Sequence, residues 1–545
     1  MAVPPSDFSI PTVVPLTRRL AYYHYTQFAQ QIQDRVITEL SSRRRPLTES
    51  DINGLRRETN ARIAEIRRME AIVDTHRGPE IKAVEDRLFF SRVEFRARFG
   101  FIFRINDLPV EILANIFRLI AWSSPAPAAS VNWRLWLTWV CRLWRNVAIA
   151  DATIWNAIWF RERPPFHRSF QWFQRAETTP LDIRINDSNV YKFDSKTISE
   201  LLDKVFVKLG QIRILIVIVD GVEPAQTVFE KLQTIANRKC PMILERLEVH
   251  SHIVRVDDSM DAGDSLPLFG GAFLPSLKYV SLNSVYFDWY KSQLTNLTTL
   301  DVRRMPFSRS PDLLHFRSII ANSPNLWKLC LDCAGPRWEE DKNVALEPIF
   351  VPSLRILVYS EFSVGYAMYV ATQVHAPNVR DMTLMNFVGE DYTPLFVFMT
   401  ERFPRVRMLT LYSVEATPGQ HMVNWLASMP EIIYLRIANL QPAFLSFFLQ
   451  RAELSEAQLE QQPGHLSQVV CPAISVLELQ RIEASHAIAW LLHRQKLGCP
   501  IKKIYLSPEV ATKMTESEHR GMASFAPMFR LEYGAKTPEE DMVLI

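Results

Sequence analysis

A chain of 545 residues that is 48% hydrophobic and 22% charged is neither disordered nor fibrous, and at about 150 residues per domain it makes roughly two to four folded units. The formal net charge of +3 leaves most basic side chains balanced, which argues against nucleic acid as the partner. The six cysteines, Cys141, Cys240, Cys330, Cys333, Cys471 and Cys499, are too sparse for a disulfide framework. No signal peptide opens "MAVPPSDFSIPTVVPLTRR", and the longest apolar run, "ILIVIV" at 214–219, is far short of the roughly 20 residues that span a bilayer, so a cytoplasmic or nuclear setting without membrane contact is expected.

Residues 1–46 read as a mostly disordered leader with one short helical stretch before the basic "SRRRP" at 42–46. Over 47–100 the text turns helical. Thr48 or Ser50 offers an N-cap, Ile52, Leu55, Ile63, Ile66 and Val73 recur at helical spacing, and Ile81, Val84 and Leu88 supply a second arm. A helical hairpin within one chain and a coiled-coil dimer seam are both open at this point.

The stretch "NDLPVEILANIF" at 106–117 is a well-marked helix start. Asn106 and Asp107 can cap it, Pro109 suits the first turn, and Glu111 complements the helix dipole. Leu108, Ile112, Leu113, Ile116, Phe117 and Ile120 cover a face broader than one packed neighbour requires. After "SSPAPAAS" a second helix carries Trp133, Trp136, Leu137, Val140, Trp144, Val147 and Ala148, and Asp151 can cap a third element with Ile154, Trp155 and Ile158. A unit of about 55 residues buries little apolar surface alone and invites a partner.

"LPVEILANIF" followed by "VCRLWRNVAIADATIW" resembles an F-box, the helical module at 104–160 in this chain, and is similar to fungal F-box proteins in which a helical hairpin precedes the box. The departure is residues 123–132, which replace the usual short turn. The resemblance implies docking on a Skp-type adaptor through Leu108, Pro109, Ile112, Ile116, Phe117, Val140 and Trp144, with a cullin-RING scaffold reached through that adaptor.

Over 175–535 the sequence repeats one phrase, proline followed by apolar residues at fixed offsets. "LPSLKYVSL" (274–282), "SPNLWKLCL" (323–331), "VPSLRILVY" (351–359), "APNVRDMTL" (376–384), "FPRVRMLTL" (403–411), "MPEIIYLRI" (429–437) and "CPAISVLEL" (471–479) all carry it. Proline ends a helix, the first apolar residue enters the core, and the last two point inward from a short strand. "DLLHFRSIIANS", "HMVNWLASM" and "HAIAWLLHRQK" supply helices between the strands. The phrase resembles leucine-rich repeats, although the asparagine that usually ends the strand is mostly missing, and irregular repeats are expected. The fold class is therefore α+β multidomain: a helical hairpin, a three-helix F-box, and a leucine-rich-repeat-like α/β solenoid, or horseshoe. The strands "PLDIRI" (180–185) and "IRILIVIV" (212–219) would begin the same sheet.

The chemistry of catalysis is not written here. "CLDC" at 330–333 has metal spacing, but a strand sends its two cysteines to opposite faces and no second pair exists. No phosphate-loop, dinucleotide, zinc-protease or nucleophile-elbow motif occurs. No cofactor, metal or enzymatic activity is expected. The resemblance implies a substrate-recognition subunit of an SCF-type ubiquitin ligase, whose repeats hold a protein target. The outward strand residues would form the binding face, with Tyr412, Tyr434 and Arg436 at its centre. The alternative is a protein-binding scaffold outside any ligase.

Overall fold

The computed structural model describes residues 30–36, 38, 49–75, 81–102, 105–123, 127–187, 191–237, 242–252, 265–338, 346–417, 419–453, 467–532 and 534–544. Residues 1–29, the basic triplet, Thr48 and Cys240 lie outside them. The chain forms two compact units that divide between Ile154 and Trp155.

In the first unit, α1 (Glu49–Thr75) and α2 (Ile81–Ile102) pack against each other as a hairpin within one chain. Ile66, Met69 and Leu88 are buried at their seam, with Val73, Val84 and Phe95 beside them. Arg62 pairs with Glu94 at 2.7 Å and Arg87 with Glu65 at 3.0 Å across the outside, contributing little beside the apolar seam. Ser50 is inside α1 rather than capping it, because the helix already begins at Glu49. Part of the leader is ordered too. Residues 30–36 are helical, and Val36 is buried against Leu55.

Helices α3 (Val110–Trp122), α4 (Pro127–Val140) and α5 (Arg142–Ala150) follow. The single helix expected over 133–148 is broken at Cys141, whose backbone is extended and whose sulfur accepts the Trp144 N–H at 3.5 Å. The linker shrinks to 123–126, since proline is tolerated in the first turn and the alanines after it favour helix. Pro109 precedes α3, and no side chain caps that helix. Asn106 instead accepts the Trp144 indole N–H at 2.8 Å. Asp151 caps the next short turn as expected, accepting from the Thr153 N–H at 3.1 Å, and also receives Arg118 at 2.7 Å.

The second unit holds a parallel sheet of 14 strands. They are β1 (Ala157–Phe160), β2 (Leu181–Asn186), β3 (Ile212–Val219), β4 (Arg246–Ser251), β5 (Tyr279–Asn283), β6 (Thr299–Arg303), β7 (Lys328–Asp332), β8 (Ile356–Ser360), β9 (Asp381–Phe387), β10 (Met408–Val414), β11 (Tyr434–Ala438), β12 (Val476–Gln480), β13 (Lys503–Leu506) and β14 (Met528–Arg530). Each pairs with its successor and the order in space is the order in the chain. A doubly wound sheet would reverse direction at a switch point, so this order belongs to a strand–helix coil that advances one way. The sheet starts earlier than the repeat suggested: Ile158 lies in β1, outside the small helical unit, and pairs with Ile183.

The repeat phrase does what its spacing predicts. Leu277, Val280 and Leu282 are buried, as are Val406, Leu409 and Leu411. Helices Leu313–Ala321, Gln420–Ala427 and Ala484–Lys496 fall where the intervening text placed them. The long interval between β11 and β12 holds an antiparallel pair, Arg451–Glu453 with Ser467–Val469. Arg494 pins that insertion by donating from a fully buried side chain to the carbonyls of Phe448, Val470 and Cys471 at 2.9–3.1 Å.

The expected irregularity is not found at the strand ends. Ser284, Arg304, Cys333, Glu361, Asn386, Ser413, Asn439 and Arg481 follow the paired cores of eight successive strands, and all have φ between 46° and 57°. Several of these residues bond onward in the same way. The Ser284 N–H donates to the Arg303 carbonyl at 3.1 Å, the Cys333 N–H to Ser360 at 2.9 Å, and the Glu361 N–H to Met385 at 3.1 Å. The turn is thus made by a backbone ladder, and no particular side chain is required. A left-handed conformation costs a non-glycine residue about 1–2 kcal/mol, more for a β-branched one. In urea unfolding of the full chain, exposed Arg304→Gly should therefore hold or raise the midpoint and Arg304→Val should lower stability by about 1–2 kcal/mol; the reverse ranking would contradict the strained-turn account.

Candidate recognition surfaces

The first candidate surface is in the helical unit. Leu113, Phe117 and Ala121 of α3 turn inward and are buried. Phe117 is 0% exposed, with its ring 4.8 Å from Trp144. Of these two expected contact residues Phe117 is internal and lies wholly in the core, while Trp144 is half-buried, packing on Phe117 and donating its indole N–H to Asn106. The other expected residues face outward. Leu108, Pro109 and Ile112 are exposed and Ile116 is half-buried, at helical spacing with Leu119, which is 72% exposed. On α4, Val140 is exposed together with Trp136 and Trp139, the last 66% exposed. Spacings of three and four residues put this trio on one side of α4. Together with Trp122 at the end of α3, three exposed indoles on a small unit are the unusual feature, since scattered single aliphatics would be ordinary.

The second candidate surface is the sheet face opposite the aliphatic core. Register places Arg246, Tyr279, Thr299, Lys328, Ile356, Asp381, Met408, Tyr434, Val476 and Lys503 in one row. Glu248, Ser281, Asp301, Cys330, Val358, Thr383, Thr410, Arg436, Glu478 and Tyr505 form the next. The sequence assigned the face correctly but not its solvation. Ser281, Thr299, Asp301, Met408, Thr410, Tyr434, Glu478 and Tyr505 are all buried.

Two different causes bury them. Over β4–β7 the charges close on each other. Arg246 sits 4.2 Å from the Tyr279 ring centre and donates to Glu248 at 2.6 Å. Arg303 grips Asp301 with two bonds of 2.7 and 2.9 Å, and Lys328 adds a third at 3.3 Å. Burial works against the Asp301 carboxylate, but Arg303 and Lys328 outweigh it and hold the group below the usual range. Cys330, in the same row, is buried, and its thiol is pushed up to about 12 by burial and Asp301. Cys333 is the left-handed residue after the strand. Among the described residues no group of three or more His, Cys, Asp or Glu is arranged to hold a metal ion.

Over β9–β13 the chain covers itself. Helix Pro538–Leu544 and the residues before it lie on the rows. Val543 is buried among Met408, Tyr434, Val476 and Tyr505. Glu539 accepts Lys503 at 2.6 Å and the Tyr505 hydroxyl at 2.7 Å. Glu540 accepts Arg436 at 3.0 Å and the Thr537 N–H at 2.9 Å, and Arg380 donates to the Leu544 carbonyl at 2.9 Å. Of the three residues expected at the centre of a target surface, Tyr434 is 0% exposed and donates to Glu478 at 2.7 Å. Arg436 is divided between Glu478 at 2.7 Å and Glu540. Tyr412 remains half-exposed, its hydroxyl receiving Arg481 at 2.7 Å. Tyr434 and Arg436 are therefore already engaged within the chain.

Sequence reasoning missed Glu539, Glu540, Val543 and Lys503. "TPEEDMVL" announces a capped helix through threonine, proline and two glutamates, but nothing local says which surface that helix will cover.

No protein-family model matches the chain, and no curated protein matches it. A solved structure of a Bacteroides fragilis protein, determined as a structural-genomics target, is similar at 12% identity over 68% of this chain and 80% of that one. Its TM-score is 0.24, a level at which the likeness carries no argument. No helix among the described residues is long and apolar enough to cross a membrane.

Beneath this segment Asp381 has an Oδ1 that is out of solvent and without a hydrogen-bond partner. Burial pushes its pKa up to about 6, against the pull of Arg436 and with the help of Glu540. A carboxyl with a raised folded-state pKa stabilises the fold while protonated, below its unfolded value near 3.8, and that contribution is lost as pH rises through about 6. The stability of the parent chain relative to Asp381→Asn should therefore fall between pH 4 and pH 8, by about 3 kcal/mol at most. Thermal melts of both chains across that range test this, and a constant difference would contradict the assignment.

Proposed function

We propose that this chain is a substrate receptor of an SCF-type cullin-RING ubiquitin ligase, with α3–α5 as an F-box that docks a Skp-type adaptor and the repeat unit as the holder of a protein target. The observation that carries the reading is the exposed apolar residues of the helical unit, Leu108 before α3, Ile112 and Leu119 on it, and Trp136, Trp139 and Val140 on α4, in the sequence context that resembles the box. A face of that kind gains from being covered at roughly 25 cal/mol per Å², and aromatic side chains at such faces dominate binding energy. Phe117 serves the module by packing its interior, with the half-buried Trp144 against it.

Under this reading the chain makes and breaks no bond. It raises the local concentration of a target near a charged conjugating enzyme that its partners bring. The parallel sheet supports the second half of the reading by arranging side chains in rows one strand apart, a spacing that suits an extended partner once the cover over β9–β13 is displaced.

The test is co-purification from cells of the tagged full chain with Leu108→Ala and Pro109→Ala combined. Both positions are exposed, so the melting temperature should move by no more than a few degrees, while recovered adaptor and cullin should fall at least tenfold. Undiminished recovery of both would overturn the docking assignment. Trp139→Ser, tested alongside, should also weaken recovery, whereas Phe117→Ala should lower the melting temperature first, by roughly 3–5 kcal/mol of stability.

A further inference from the structure

The covered rows over β9–β13 are a formed seat with an occupant in it. The occupant is the chain's own segment 535–544, "AKTPEEDMVL". Its attachments are of two kinds, both found among the ways proteins capture short peptides: acidic groups on cations and an apolar anchor in a socket. Two adjacent carboxylates meet fixed cations, Glu539 on Lys503 and Glu540 on Arg436. One aliphatic side chain, Val543, fills an apolar socket of Met408, Tyr434, Val476 and Tyr505. The last hold is on backbone, from Arg380 to the Leu544 carbonyl, and so depends on no particular side chain.

The fit is firm at the helix and loose ahead of it. A cavity of about 220 Å³ is lined by Arg436, Glu478 and Gln480 on the sheet and by Leu531, Glu532, Gly534, Ala535 and Lys536 ahead of the helix. The helix itself has only seven residues, too few to be stable by itself in water, and Met542 on it points out to solvent. Order in this segment is supplied by the seat. Arg436 has a hold within the sheet besides Glu540, because Glu478 accepts both Arg436 and Tyr434 at 2.7 Å each, and Lys503 lies over the Tyr505 and Phe529 rings at 5.0 and 4.7 Å.

We infer that segment 535–544 is an internal stand-in for the target, and that the protein segment displacing it has the same chemistry: two neighbouring carboxylates followed three or four residues later by an aliphatic side chain. This rests on the receptor reading for the word target, but the seat and its preference stand on the contacts alone. The two are separable. A chain that loses the adaptor but still binds such peptides would sink the receptor reading and leave this one intact.

The test uses the full chain and a fluorescein-labelled peptide of residues 535–544, with binding read by anisotropy. The segment is loosened in two independent ways, Val543→Asp, and Glu539→Gln combined with Glu540→Gln, the second being nearly isosteric in case the first misfolds. Hydrogen exchange over 535–544 reports whether it has been released. The peptide should bind the released chains at least tenfold more tightly than the parent. Binding should be lost when both peptide glutamates become glutamine, and when Arg436→Ala or Lys503→Ala is added to the released chain. Equal or absent binding to parent and released chains would overturn the proposal. Exchange unchanged in both variants would overturn it as well, by making the segment a fixed part of the fold.

Discussion

Every strand in the middle of the large sheet depends on its neighbours. A strand of five residues such as β5 or β7 has only a few inward aliphatic side chains, and its N–H and carbonyl groups find partners only on the strands either side. Two or three such strands alone would be marginal. The long parallel ladder turns that weakness into a fold, since each unit completes the one before it and presents the same unfinished edge to the one after. The in-line strand order, the register and the repeated turns all follow from this one requirement. So does the position of the polar rows: once the aliphatic residues at alternate positions are fixed to the core, period two sends their neighbours to the other face.

What happens on that other face differs along its length. Over β4–β7, Arg246, Glu248, Asp301, Arg303 and Lys328 are satisfied by one another, so little charge is left for a partner. Over β9–β13 the groups are satisfied by a segment remote in sequence, Glu539 and Glu540 reaching back to Lys503 and Arg436. The first arrangement is a closed network whose members hold each other in place. The second joins two parts of the chain that need not stay joined.

Much of the fold was legible in the sequence because it rests on local rules. Prolines marked the helix-to-strand turns, and the alternation after them identified Leu277, Val280, Leu282, Val406, Leu409 and Leu411 as core. Less of the candidate surfaces was legible. The inward and outward sides of α3 were read together as one broad apolar face, so Phe117 was grouped with Leu108 and Ile112. Which apolar residues on a helix meet its neighbours depends on where α4 and α5 lie, and the break at Cys141 that sets α5 comes from a sulfur cap invisible to periodicity. Tyr434 and Arg436 were placed on the right face, yet their cover comes from residues about a hundred positions later in the chain, a contact no local pattern encodes.

The left-handed residue that follows the paired core of each strand from β5 to β12 was the least legible feature, because the asparagine that usually marks it is mostly missing. Its consequence reaches beyond folding. Backbone bonds carry the bend, so the bend itself asks for no particular side chain, and at Arg304, Cys333, Glu361, Asn439 and Arg481 the side chain is exposed, although several bond along the rim, Asn386 to Glu361, Asn439 to Ser413 and Arg481 to Tyr412. Two arginines, a thiol, a carboxylate and an amide occupy equivalent places along one rim, spaced by strand separations of about 4.8 Å. Such a rim is a line of type in which a character can be reset for another unbranched one with little disturbance to the page.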